Sequence, residues 1–232
     1  MTEQLVVDDL AFEVRRSSRR KTVELIVDRG GELRIVAPAG VAVRQLEGFV
    51  REKRFWLYTK LAEKEALQRP SGSKEFATGE GLPYLGRSYR VLLVDEQDEP
   101  LKLKAGRFCL LRSATVDGWV VFTSWYSRNA AIWLRRRVGD WAPRMSAKPT
   151  AVEVRDLGFR WGSCGKGGKV HFHWATILLP PTIIDYVIVH ELAHLHEPKH
   201  TRGFWQQVER AMPDYEERRR WLAERGGGLV VL

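Results

Sequence analysis

A pair of histidines four residues apart gives the clearest chemical signal in this chain. In the segment His190-Glu191-Leu192-Ala193-His194, a helix would place both imidazoles on one face, where they can share one ion. Zinc takes neutral imidazole nitrogens as ligands, and a catalytic zinc keeps three protein ligands plus a water. Glu191 lies beside the pair and can accept a proton from that water. The spacing therefore predicts a hydrolase with Zn2+ bound by His190 and His194 and with Glu191 as its base.

The residues around this motif predict that it is buried. Residues 183–195 carry apolar side chains nearly all round a helix, which is typical of a helix inside a core. A buried glutamate and two buried histidines are costly without a partner, and a bound metal removes that cost. This setting favours a metal site over a pair of surface histidines.

The third metal ligand has several candidates. These are His196, His200 and a downstream glutamate, Glu209, Glu216 or Glu217. His196 follows His194 by two residues and would point to another side of a continuing helix. Pro198 ends the helix, so the chain can fold back and bring His200 to the metal. Geometry prefers His200, because the glutamates would need a separate returning helix.

A Gly-rich segment at residues 160–165 precedes the histidine motif. We expect a tight turn there, with Trp161 and Cys164 packed in the core. Arg160 could pair with a carboxylate near the site. Stabilisation of the oxyanion could come from Tyr186, His173 or Tyr215.

Several of these motifs together resemble a known family. The run 184–195, followed by His200 and Phe204-Trp205, is similar to the YgjP-like zinc metallopeptidases, relatives of the SprT-like and WLM proteases. Residues 160–164 and 212–215 are also similar to signatures of that family. The resemblance covers most of the chain and is strongest over residues 155–222.

The resemblance implies a zincin-like fold, zinc ligation by His190, His194 and His200, and Glu191 as general base. His173 stands where the family often has asparagine, in the strand before the metal helix. We expect His173 to be an edge-strand histidine facing solvent, and the alternative is a fourth contact to the metal. Arg160, His173 and Tyr186 are thus candidates for contacts to the substrate or to the metal ligands.

The predicted reaction is hydrolysis of a peptide bond, in which Glu191 activates a zinc-bound water and passes the proton to the leaving amine. The peptide substrate rests on the resemblance, since the same residues could hydrolyse a nucleotide phosphoanhydride. No Gly-rich phosphate loop of the Walker type supports that alternative. A formal charge of +9 also allows a DNA-associated protease, with nucleic acid as a further partner.

The composition is that of an ordinary globular protein. Hydrophobic residues make up 44% and charged residues 29% of the 232 residues, which argues against disorder or a coiled coil. Two cysteines and the lack of a signal-like start favour a reducing cytoplasm. The sequence contains no run of about 18 or more apolar residues, so no membrane span is predicted. Oligomeric state is left open.

The elements before the motif are predicted from periodicity. Alternation over residues 5–38 predicts strands, including a hairpin that turns at residues 28–31. Residues 41–67 have the pattern of a long amphipathic helix. Residues 89–94, 101–103, 108–111 and 119–122 are predicted as short strands. A helix is predicted over residues 125–145, with a boundary near Ser124.

The elements around the motif complete the predicted fold. Strands are expected at residues 150–155 and 169–174, and a helix at residues 182–196 should carry the histidine pair. We predict an α+β protein: a β-rich N-terminal region with a long helix, residues 1–124, of unknown role, followed by a zincin-like metallopeptidase core, residues 125–232. In that core the active-site helix packs on a small sheet. The two regions can also form one continuous domain.

Overall fold

The computed structural model describes residues 3–27, 32–54, 57, 60–61, 75–158 and 160–226. The chain divides into two compact units, Met1–Ser71 with Glu224–Val231, and Gly72–Ala223 with Leu232. The described residues form five α-helices and three small mixed sheets, so the α+β class is confirmed. Ser124, the predicted boundary, lies inside the second unit.

The first unit contains a four-stranded sheet. Its strands are β1 (Glu3–Val7), β2 (Leu10–Ser17), β3 (Glu24–Val27) and β4 (Leu33–Pro38), in the order β1-β2-β4-β3. Strands β2 and β4 are parallel, and the other two pairs are antiparallel. The antiparallel pairing of β3 with β4 confirms the predicted hairpin. Its turn, residues 28–31, lies outside the described residues.

One helix covers this sheet. Helix α1 (Val43–Glu52) buries Leu46 and Val50 in a cluster with sheet residues such as Phe12 and Ile35. Spacing by four residues puts Leu46 and Val50 on one stripe, which is why the helix packs with that face. The predicted amphipathic helix is confirmed over this range, while residues 55–56, 58–59 and 62–67 of that prediction lie outside the described residues.

The second unit begins with another four-stranded sheet. It contains β5 (Gly81–Tyr84), β6 (Arg87–Val94), β7 (Leu101–Lys104) and β8 (Arg107–Leu111) in the order β5-β6-β8-β7. Strands β6 and β8 are parallel, and the outer pairs are antiparallel. Three of the four strands predicted in this region are therefore confirmed.

The fourth predicted strand, residues 119–122, is wrong. Those residues are the first turns of helix α2 (Gly118–Trp141), which starts earlier than the predicted residue 125. Phe122, Tyr126, Ala130 and Leu134 follow one another at intervals of four and are all fully buried. That continuous helical stripe outweighs the local β propensity of Val120 and Val121.

A three-stranded sheet follows α2. It contains β9 (Ala151–Arg155), β10 (Gly162–Cys164) and β11 (Lys169–His173), in the order β10-β11-β9. Strand β11 is antiparallel to β10 and parallel to β9. The strands predicted at 150–155 and 169–174 are confirmed. The segment predicted as a tight turn, 160–165, instead contains the edge strand β10.

Three helices end the described chain. They are α3 (Pro181–Ala193), α4 (Arg202–Ala211) and α5 (Tyr215–Arg225). Helix α3 carries the histidine motif and ends at Ala193, three residues before the predicted end. All residues from Ile183 to Val189 are buried, as the apolar pattern predicts. No helix among the described residues is both long and apolar enough to cross a membrane.

Candidate metal centre

The first two histidines of the centre come from the last turn of α3. His190 lies in the helix and His194 caps its C-terminal end, so the four-residue spacing places their rings 5.0 Å apart. The ring Nδ1 of His194 lies 3.1 Å from the backbone carbonyl of Glu197. Donation from Nδ1–H to that carbonyl leaves Nε2 with its lone pair free for a metal.

His200 joins this pair from the segment between α3 and α4. Its ring lies 4.9 Å from that of His190 and 4.7 Å from that of His194, and its Nε2 is 3.0 Å from Nε2 of His190. One ring nitrogen from each of the three histidines falls within 4.8 Å of the others. Thr201 caps α4 by accepting a bond from Phe204 N–H, which fixes where the chain enters α4.

The other candidates for the third ligand lie elsewhere. Nε2 of His196 is 3.1 Å from the backbone carbonyl of Met145, so its ring is engaged away from His190 and His194. Within the described ranges, His190, His194 and His200 form the one group of His, Cys, Asp or Glu side chains close enough to share an ion. Glu209, Glu216 and Glu217 are exposed and lie outside this group.

Two aromatic side chains of α4 pack against the three imidazoles. Phe204 of α4 is fully buried, and its ring lies 4.9, 4.5 and 4.8 Å from those of His190, His194 and His200. Trp205 stacks on His200 at 5.8 Å. Packing of this kind restricts the rotamers of the histidines and favours convergence of their nitrogens.

The donor set fits a tetrahedral metal ion. Ligand nitrogens at 2.0–2.1 Å from zinc lie about 3.3 Å from one another, close to the separation of the His190 and His200 nitrogens. Burial and the neighbouring histidines lower the pKa of His190 to about 3. Burial, and to a smaller extent the charge of His194, also lowers the pKa of His200. Both rings are therefore neutral near pH 7, the form that binds a metal.

Glu191 lies beside the histidines with its carboxylate in the core. It is 5% exposed, and burial raises its pKa to about 8, against the opposing effects of Arg160 and of the backbone N–H of Cys164. Oε2 of Glu191 is buried and has no hydrogen-bond partner among the described residues. A buried carboxylate with one unpaired oxygen is suited to exchanging a proton with a reacting group.

Arg160 and Tyr186, two of the predicted contacts, lie near this carboxylate. Arg160 is exposed, and its positive charge lowers the pKa of Glu191. Tyr186 is buried one turn before His190 on α3, with its ring 6.0 Å from that histidine. Burial raises the pKa of Tyr186 to about 12, so its hydroxyl is protonated and can donate. Burial and the charge of Glu191 raise the pKa of Cys164, which disfavours a reactive thiolate there.

The expectation for His173 is wrong in its location. β11 is the central strand of its sheet, and His173 is 3% exposed. Its Nδ1 accepts a bond from Ala175 N–H at 3.0 Å, and its Nε2 lies 3.2 Å from Asp156 Oδ1. Nδ1 thus caps the start of the short helix Trp174–Leu178, while Nε2 is engaged by Asp156. This arrangement gives His173 a structural role and leaves no nitrogen for a fourth metal contact.

Sequence reasoning missed the strand that holds Glu191. Cys164 N–H contacts its carboxylate, and a Cβ added to Gly162 would lie 2.6 Å from its Cγ and Oε1. The two segments are almost 30 residues apart, so neither periodicity nor spacing indicates the contact. The glycine at position 162 was the available signal, because a glycine in a strand often marks a place where another group approaches the backbone closely.

A family profile and one solved structure match this chain. The sequence profile described as "YgjP-like, metallopeptidase domain" matches residues 21–225. Among solved structures, the crystal structure of the metallopeptidase zymogen of Pyrococcus abyssi abylysin matches with a TM-score of 0.36 and 23% identity, over 39% of this chain and 92% of that chain. No curated protein matches the sequence. Because the profile spans most of the chain, this protein belongs to the YgjP-like metallopeptidase family and is a metal-dependent peptidase.

Proposed function

We propose that this peptidase is a zinc enzyme in which His190, His194 and His200 bind the ion and Glu191 is the general base. The convergence of three imidazole nitrogens within 4.8 Å carries this proposal. An all-nitrogen donor set suits zinc and disfavours magnesium and calcium, which prefer oxygen ligands.

Each residue has a distinct task in the proposed reaction. Zinc, when bound, supplies a Lewis acid, lowers the pKa of water and counteracts the burial that raises the pKa of Glu191. Glu191 accepts a proton from the water that attacks the peptide carbonyl and then donates it to the nitrogen of the leaving amine. Oε2, buried and without a hydrogen-bond partner among the described residues, is the oxygen that we assign to this proton.

The surroundings of Glu191 support this assignment. The backbone N–H of Cys164 favours the charged form of the carboxylate. Tyr186 and Arg160 are proposed to contact the substrate or the groups that hold it. Tyr186 packs on His190, and the charge of Arg160 lowers the pKa of Glu191. Tyr186 is the better candidate to donate to an oxyanion, since its hydroxyl stays protonated.

The metallopeptidase family favours a peptide or protein substrate over a nucleotide phosphoanhydride. Nucleic acid as a partner stays a prediction from charge. Several basic side chains pair with acidic ones, including Arg15 with Glu13, Arg16 with Glu3, and Arg20 with Glu24. Such pairing reduces the charge available to bind phosphates.

The test compares wild type with two variants for zinc content and for hydrolysis of an unfolded protein. Glu191→Gln should keep stoichiometric zinc and lose activity, because its amide cannot accept the proton. His194→Ala should lose both. Full zinc content in His194→Ala would contradict the ligand assignment, and full activity in Glu191→Gln would contradict the base.

A further inference from the structure

We propose that Gly162 is a positioning residue, whose missing side chain lets strand β10 hold the Glu191 carboxylate in place. This inference rests on the proposed role of Glu191 as general base. The three atoms nearest to a Cβ built on Gly162 all belong to Glu191: Cγ and Oε1 at 2.6 Å and Cδ at 2.8 Å. Real Cβ atoms do not approach other heavy atoms this closely, so any other residue at position 162 would displace the carboxylate.

The register of β10 explains why its backbone can reach Glu191. Ser163 pairs with His171, and the flanking bonds join Gly165 N–H to the Lys169 carbonyl and His173 N–H to the Trp161 carbonyl. Residues of odd number therefore direct their backbone groups to β11. Those of even number direct theirs to the free edge of the sheet, and the Cys164 N–H among them favours the charged form of Glu191.

Two features of β10 bear on the orientation of the carboxylate. Cys164 N–H favours its charged form, and a side chain at Gly162 would occupy the space of Cγ, Cδ and Oε1. Oε2 is left buried and without a hydrogen-bond partner in the described chain. β10 thus selects which oxygen is available for proton transfer, and a displacement of about 1 Å at such a position is worth about 10²-fold in rate.

The kinetic test uses Gly162→Ala, with Gly139→Ala as a matched control because a Cβ at Gly139 meets nothing within 4 Å. We expect Gly162→Ala to lower kcat by about 10²-fold, with KM and zinc content close to wild type, and Gly139→Ala to leave all three unchanged. In a Glu191→Gln background the same Gly162→Ala change should lower the residual rate by less than about threefold, because the two residues act together.

A stability cycle tests the same contact without any activity measurement. Gly162→Ala should lower Tm by about 3 °C or more through overpacking. That loss should largely disappear in a Glu191→Ala background, where the colliding side chain is gone. If Gly162→Ala fails to fold alone, folding of the double variant supports the proposal and its failure to fold overturns it.

The outcomes separate this inference from the proposed function. Wild-type kcat in Gly162→Ala, or equal losses of Tm with and without the Glu191 side chain, would overturn the role of Gly162 alone. Full activity in Glu191→Gln would instead overturn the general base, whatever Gly162→Ala does.

Discussion

Two buried carboxylates on helix α3 differ in how completely they are paired. Asp185 and Glu191 are each 5% exposed. Both oxygens of Asp185 accept bonds of 2.6 Å from Nε and Nη2 of Arg137 on α2, whereas Glu191 keeps an unpartnered Oε2 among the described residues. A fully paired buried charge is part of the framework, while an incompletely paired one carries an energetic cost that a catalytic role explains.

The largest effect that separates the two carboxylates should come from Glu191→Gln. The amide keeps the shape but cannot accept a proton, so kcat should fall by about 10²- to 10⁴-fold. Thermal stability should stay the same or rise, because a buried charge without full pairing is removed. Kinetics and thermal unfolding of the same preparation measure both. A variant that lost stability with its activity would place Glu191 in the framework beside Asp185.

Asp185→Asn should behave in the opposite way. The change removes one charge of a bidentate pair and leaves Arg137 with only the more exposed Asp140 as an acidic partner, which should cost about 2 to 4 kcal/mol in the free energy of unfolding. The lower part of the range applies because the Arg137 side chain is 33% exposed. Urea unfolding measures the loss. Asp140→Asn is the control, since Asp140 contacts Arg137 at 3.4 Å on the exposed side and should change stability by less than about 0.5 kcal/mol.

The pH dependence of stability in chelator-treated protein gives a finer comparison. The pKa of Glu191 rises from an ordinary 4.5 to about 8 in the fold. Between these values the folded state binds more protons at Glu191 than the unfolded state does, so its contribution to stability decreases as pH rises. From about pH 5 to about pH 8 the unfolding midpoint should therefore fall more in wild type than in Glu191→Gln. Identical pH profiles would show that Glu191 is already ionised at low pH.

The smallest expected effect concerns His173, which has both ring nitrogens engaged and so resembles Asp185 more than Glu191. In His173→Asn the side-chain carbonyl can replace Nδ1 as acceptor for Ala175 N–H. Stability should change by about 1 kcal/mol or less, and zinc content should match wild type. Loss of zinc in this variant would make His173 a metal ligand and break the distinction between paired and unpaired groups.

Periodicity was sufficient to predict the helix that carries the histidine pair, but not strand β10 or the contacts between elements. The apolar run through α3 is a local feature, and the helix lies where the sequence places it, although it ends three residues early. The contact between Glu191 and β10, and that between Asp185 and Arg137, join residues far apart in the chain. No local pattern encodes such pairs, although an acidic residue in an otherwise apolar helix does indicate that a partner exists.

Local propensity also failed where tertiary packing opposed it. Residues 119–122 have strand-forming side chains but begin α2, because Phe122 continues a buried stripe at intervals of four. The prediction of an edge position for His173 fails because residues 162–164 form a third strand beside β11. Once β10 is added, β11 becomes central and His173 becomes buried.

X-ray absorption at the zinc edge of the purified enzyme tests the central claim most directly. Three histidine ligands predict three nitrogen scatterers at about 2.0 to 2.1 Å with one further oxygen, and one nitrogen fewer in His200→Ala. A sulfur scatterer at about 2.3 Å, or a wild-type spectrum unchanged by His200→Ala, would contradict the site formed by His190, His194 and His200.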